Sequence, residues 1–187
     1  MIDNYHIKIP WAGLIVIFEL HFVWSSVSGM ETLLHAVIIL SVALLLIRRS
    51  PPWFVLGLLT GLSTWVRPDG MTLVGPILLT AFIVEQNWKK RAHAILRILI
   101  GFGLLFAPYL LFNFSLTGKV LPTTFYAKQA EYAGWQAEPI LSRLASVTLS
   151  FLAGAAIILL PGFIIQVKDA LKGKQWGQIA MFIWMIG

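Results

Sequence analysis

The chain has no cysteine and little charge. The first absence excludes a disulfide framework and a thiolate metal site. Charged residues make up 12% of the 187 positions, against ~25% in an ordinary soluble domain. Acidic groups are the scarcest, eight Asp and Glu beside fourteen Lys and Arg. The four histidines, His6, His21, His35 and His93, have no metal-ligand spacing. No cofactor is identified, and the sequence leaves any divalent metal open. Met1 to Lys8 has neither the basic region nor the small-residue cleavage site of a signal peptide. No internal repeat of the kind common in transporters stands out.

Hydrophobic residues fill most of the chain, 58%, with a mean hydropathy of +0.83. The expected class is an integral membrane protein, all-α, a polytopic transmembrane helix bundle of about six full spans plus a partial seventh. The hydrophobic runs that set this count are Trp11–Val27, Met30–Ile47, Pro51–Val66, Met71–Val84, Ile95–Leu116, Ala145–Val167 and the incomplete Trp176–Gly187. Several fall short of the ~20 residues of an ordinary span. Residues 1–187 read as a single transmembrane domain, begun and ended close to spans. That pattern is expected of the middle part of a longer membrane enzyme.

Cation placement sets an orientation. With the N-terminus cytoplasmic, ten cations fall inside: Lys8, Arg48, Arg49, Lys89, Lys90, Arg91, Arg97, Lys168, Lys172 and Lys174. Four fall outside: Arg67, Lys119, Lys128 and Arg143. The expected location is the plasma (inner) membrane. The run Asn87–His93 is short and serves topology, so nucleic acid is not an expected partner. Glu19 and His21 lie within the first run, where ionisable groups are costly unless they face the bundle or serve a function.

Three stretches stand out from this apolar background. Ser28-Gly29-Met30-Glu31-Thr32 has the spacing of a capping box, Ser28 as N-cap and Glu31 three residues on. A carboxylate at such an outer turn also suits a cation or a sugar hydroxyl. Trp65-Val66-Arg67-Pro68-Asp69-Gly70 joins two runs of 16 and 14 residues. As helices these span ~24 and ~21 Å, short of a ~30 Å hydrocarbon core. The tip is therefore expected to lie below the outer surface. Arg67 and Asp69 either pair with each other or Arg67 grips an anionic headgroup bidentately. The third stretch belongs to the outer loop 113–143, where Thr123 to Ala133 reads as a short surface helix. Lys128 and Glu131, three apart, are either a simple surface pair or part of a site.

Together these stretches resemble the multi-spanning C-type glycosyltransferases that use lipid-phosphate-linked sugars. The likeness is closest to the branch with mycobacterial arabinofuranosyltransferases and dolichyl-phosphate-mannose-type enzymes. Ser28-Gly-Met-Glu31-Thr is similar to that group's SG(L/M)ET turn, and Arg67-Pro68-Asp69-Gly70 to its RP(D/E)G turn. Gly118 through Lys128, with Leu121-Pro122-Thr-Thr-Phe-Tyr126-Ala-Lys128, is similar to its G…LPNTFYAK segment. The likeness covers roughly Ser28 to Tyr132. It implies transfer of a sugar, with inversion, from a polyprenyl-phosphate donor on the extracytoplasmic side. Membrane lipid and the lipid-linked sugar are the implied partners; the acceptor, glycan or protein, is not specified.

Arg67, Lys128 and Tyr126 are the substrate-binding candidates, the two cations because a phosphate leaving group needs its developing charge stabilised. An acceptor hydroxyl needs a general base. In the family that carboxylate sits in a first outer loop, and this chain has no such loop. Glu31 and Asp69 are the carboxylates left to propose, and the catalytic group stays unassigned. The competing expectations are a multi-pass transporter subunit with Arg67 and Asp69 on a substrate path, and an inactive membrane remnant.

Overall fold

The computed structural model describes residues 11–18, 20–29, 31–150 and 155–186. Every regular element among them is helical. The first are α1 (Trp11–Ile17), α2 (Leu20–Val27), α3 (Thr32–Leu46) and α4 (Trp53–Val66). A 3₁₀ turn (Pro68–Leu73) leads into α5 (Val74–Val84), followed by the long α6 (Trp88–Thr117). The rest are α7 (Thr123–Glu131), α8 (Ala133–Gln136), α9 (Ile140–Ser150), α10 (Ala155–Lys172) and α11 (Trp176–Ile186).

The breaks follow from local chemistry. Arg67 is extended, φ −145° and ψ 135°, because the ring of Pro68 disfavours helical geometry in the residue before it. Pro68 then opens the 3₁₀ turn, where its missing N–H costs nothing. Asn87 starts α6 by accepting hydrogen bonds from the Lys89 and Lys90 amides at 2.9 and 3.4 Å. Gly118 ends it in the left-handed region, φ 68°, with its amide on the Phe114 carbonyl at 2.9 Å.

The core sits among α3, α4, α5, α6 and α11, with Val42, Leu46, Leu56, Leu73, Ile77, Ile98 and Met181 buried together. Its tightest seam joins α4 to α6. Gly57 lies against the Ile98 carbonyl and the Phe102 amide, and Gly101 against the Phe54 carbonyl. A β-carbon at either glycine would meet backbone, which cannot rotate away. Trp65 fastens the far end of the seam. Its indole N–H donates to the Leu105 carbonyl at 2.8 Å, and its ring stands edge-on to Tyr109 with centroids 5.5 Å apart.

The structure corrects the expected span count. Among the described residues, one helix, Trp88–Thr117, is long and apolar enough to cross a membrane, where six full spans and a partial seventh were expected. The reason is helix length. The run Trp11–Val27 divides at Phe18 into seven- and eight-residue helices. Met30–Ile47 yields 15 helical residues and Pro51–Val66 yields 14, ~22 and ~21 Å of helix against ~30 Å of hydrocarbon. In Met71–Val84 the first turn is 3₁₀ and only 11 residues are α-helical. Ala145–Val167 falls on α9 and α10, with residues 151–154 outside the described set, and the end of α10 carries Lys168, Asp169 and Lys172. The final run gives an 11-residue helix. Glu19 and the N-terminal residues 1–10 also lie outside the described residues.

Candidate functional site

The Arg67 turn is built from below. Arg67 donates its amide to the Ser63 carbonyl at 2.8 Å and accepts from the Gly70 amide at 2.9 Å. Gly70 is buried directly on Ser63; a β-carbon there would lie 2.6 Å from the Ser63 carbonyl oxygen. This close approach is why the turn takes glycine at this position. Thr72 donates its hydroxyl to the Asp69 carbonyl at 2.7 Å and accepts the Trp184 indole N–H from α11 at 3.0 Å. The turn is thus held by α4, by its own backbone and by α11.

Its charges converge on Arg67. The guanidinium Nε lies 3.2 Å from Asp69 Oδ1, and Nη1 lies 3.9 Å from Glu31 Oε1. The Arg67 side chain is 24% exposed, against 50% for Glu31 and 61% for Asp69. Arg67 is therefore the inner member of a three-charge cluster whose carboxylates face outward. Under it, Ser63 Oγ and His35 Nδ1 are 3.1 Å apart, and the imidazole feels the charges of Asp69, Arg67 and Glu31.

The capping box expected at Ser28 does not form. The helix begins at Thr32, so Glu31 itself occupies the N-cap position with no side-chain cap bond, and Ser28 bonds the Ser25 carbonyl at 3.3 Å. The Glu31 carboxylate is thereby left to Arg67.

Opposite this cluster runs α7. Together they border a half-open cavity of about 510 Å³. One wall is Glu31, Arg67 and Asp69; the other is Thr124, Phe125, Lys128, Gln129, Tyr132 and, from α8, Gln136. The α7 positions recur at helical spacing, so one stripe of the helix faces inward. Lys128 lies on this stripe and makes no ion pair with Glu131 or any other described residue. Tyr126 points elsewhere; its ring takes the Lys119 ammonium at 4.9 Å and does not line the cavity.

Four of the five sequence-proposed residues, Glu31, Arg67, Asp69 and Lys128, therefore meet at one place, and Tyr126 stands outside it. Sequence reasoning missed His35, Gln129, Tyr132 and Gln136. For His35 the signal was its position one turn after Glu31, on the same helix face. For the α7 residues the signal was a polar stripe at intervals of three and four. Chemically, the cavity offers one ammonium with no ion pair among the described residues, one guanidinium shared by two carboxylates, two amides, a phenol and an aromatic face. Such a set suits an anion carrying a hydroxylated group. Among the described residues no cluster of His, Asp and Glu could hold a metal ion. The chain matches no protein-family model, no curated protein and no solved structure.

Proposed function

We propose that this cavity receives the phosphate and the adjoining sugar of a polyprenyl-phosphate-linked donor, and that the chain serves sugar transfer on the extracytoplasmic side. One observation carries the reading. Arg67 and Lys128, distant in sequence, line the same cavity, and Lys128 forms no ion pair among the described residues. An ammonium beside a guanidinium binds phosphate strongly and stabilises it as a leaving group. Phe125 and Tyr132 offer aromatic surface, and Gln129 and Gln136 offer amides for hydroxyls. Both carboxylates are already engaged by Arg67, so neither is assigned as the general base.

In this reading the protein is embedded in the inner membrane with a cytoplasmic N-terminus. The helix α6 crosses with its Lys89–Arg91 end inside, and α4 and α5 enter alongside it as a hairpin. Three cations in the first turn of α6 oppose the helix dipole, which an interfacial role accounts for. The test is binding of undecaprenyl phosphate to the full chain in nanodiscs. Lys128→Ala should weaken it about tenfold or more, since a charge-assisted hydrogen bond is worth ~1.5–3 kcal/mol. Unchanged affinity in Lys128→Ala rules the donor site out.

A further inference from the structure

The opposite end of the bundle carries a second feature. Trp53 Nε1 donates to Glu85 Oε1 at 3.1 Å, and Arg91 Nε donates to the Glu85 carbonyl at 3.0 Å. These bonds bring the starts of α4 and α6 to the end of α5. Gly177, near the start of α11, lies against the Leu46 carbonyl at the end of α3. The turns 47–52, 85–88 and 173–175 therefore share one face.

Cations dominate that face. The α3–α4 turn supplies Arg48 and Arg49, the start of α6 supplies Lys89, Lys90 and Arg91, and the end of α10 with its following turn supplies Lys168, Lys172 and Lys174. All but the half-buried Arg91 are exposed, and among the described residues none of the eight is in an ion pair. The carboxylates on these segments are Glu85, already engaged by Trp53, and Asp169. Each of α4, α6 and α11 also begins with tryptophan. Trp88 is 72% exposed and Trp176 41%. Exposed indoles beside unpaired cations fit the headgroup layer of a membrane, where the ring sits at the interface and the charge meets phosphate.

We propose that this face binds the acidic headgroups of phospholipids, in preference to zwitterionic ones. The inference rests on the membrane-embedded part of the function proposed above and is independent of the sugar donor. The exposed tryptophans favour lipid over a soluble polyanion, because RNA or an acidic protein would not require an interfacial belt here.

The test uses the full chain in mixed micelles of phosphatidylglycerol and phosphatidylcholine at equal amounts, with the retained lipid quantified after washing. Phosphatidylglycerol should be enriched several-fold, and the enrichment should fall at high salt. The combined variant Arg48→Gln, Arg49→Gln, Lys89→Gln, Lys90→Gln should bring the ratio down to about one, equal retention of the two lipids. Should that variant fail to fold, each pair of substitutions is tested alone, with the ratio expected between the parent value and one. Lys119→Gln, at the other end of α6, should leave the ratio unchanged. Equal retention of both lipids by the parent chain, or a ratio unmoved by the basic-face variants, overturns the inference while leaving membrane embedding intact. Retention of neither lipid overturns both. Displacement of the acidic lipid by a short RNA at equal charge reassigns the face to nucleic acid and overturns the inference too.

Discussion

Glu31→Gln should strengthen phosphate binding. This sign separates a site built for an anion from one in which the carboxylate itself holds the ligand. Arg67 and Lys128 stand against Glu31 and Asp69, so the four charges at the cavity balance. The substitution keeps the size of the side chain and leaves the cavity one unit more positive. The Glu31–Arg67 contact is long, 3.9 Å, and Glu31 is half exposed. At that distance Coulomb's law gives about 1 kcal/mol in bulk water and about 4 kcal/mol at an effective dielectric of ~20. Exposure puts the net value of the pair at the low end, ~0.2–1 kcal/mol. A phosphate several ångströms across the cavity would be repelled by Glu31 with roughly 0.5 kcal/mol in water-like screening. Relief of that repulsion, with release of the guanidinium, predicts a gain of about two- to fivefold in affinity for undecaprenyl phosphate. The assay is equilibrium binding to the full chain in nanodiscs at low and high salt, and the gain should shrink as salt rises. A threefold loss of affinity, with the protein still folded and inserted, would refute the reasoning, because Glu31 would then be holding the ligand or orienting Arg67.

Other perturbations test the frame around the site. Gly57→Val should destabilise the protein by about 3 kcal/mol, since the added carbons meet the backbone of α6. Gly103→Ala on α6, where a β-carbon meets nothing within 4 Å, should raise the thermal midpoint slightly through helix propensity. Trp184→Phe removes the bond to Thr72 and should cost about 1 kcal/mol, a drop of about 2–4 °C in the melting temperature. Tyr126→Phe should leave phosphate affinity within twofold of the parent, whereas Lys128→Ala should not; equal losses in the two variants would show that the cavity boundary is drawn wrongly.

Much of the local structure was legible in the sequence because it depends on near neighbours. Pro68 and Gly70 mark the break between α4 and α5, and Pro122 marks the start of α7. Arg67 pairs with Asp69 two residues away, as the spacing allows. The number of membrane-crossing helices was not legible, because hydropathy reports apolar length and not the continuity of the helix. A turn at Phe18 and a 3₁₀ start at Pro68 shorten helices in a way that mean hydropathy over the run does not register. Long-range contacts were hidden for the same reason. Nothing near Thr72 announces Trp184, and nothing near Ser63 announces His35; both pairs exist only once the helices are stacked. Ser28 failed as a cap because its spacing was right but the helix started one residue beyond Glu31.

The glycine seam between α4 and α6 has a consequence for how the cavity works. Backbone rests on backbone at Gly57 and Gly101, and Trp65 is tied to Leu105, so the Arg67 turn rides on α6 as one solid piece. The facing wall is different in kind. No residue of α7 or α8 is buried, and the segment joins α6 through Gly118 in its left-handed turn. The two walls of the cavity are therefore held differently, one packed on α6 and the other exposed along its length. Substitutions that fit the cavity to a bulkier or slenderer ligand are therefore expected in the 118–136 segment, where side chains can change without disturbing a buried core, and not in the arginine turn.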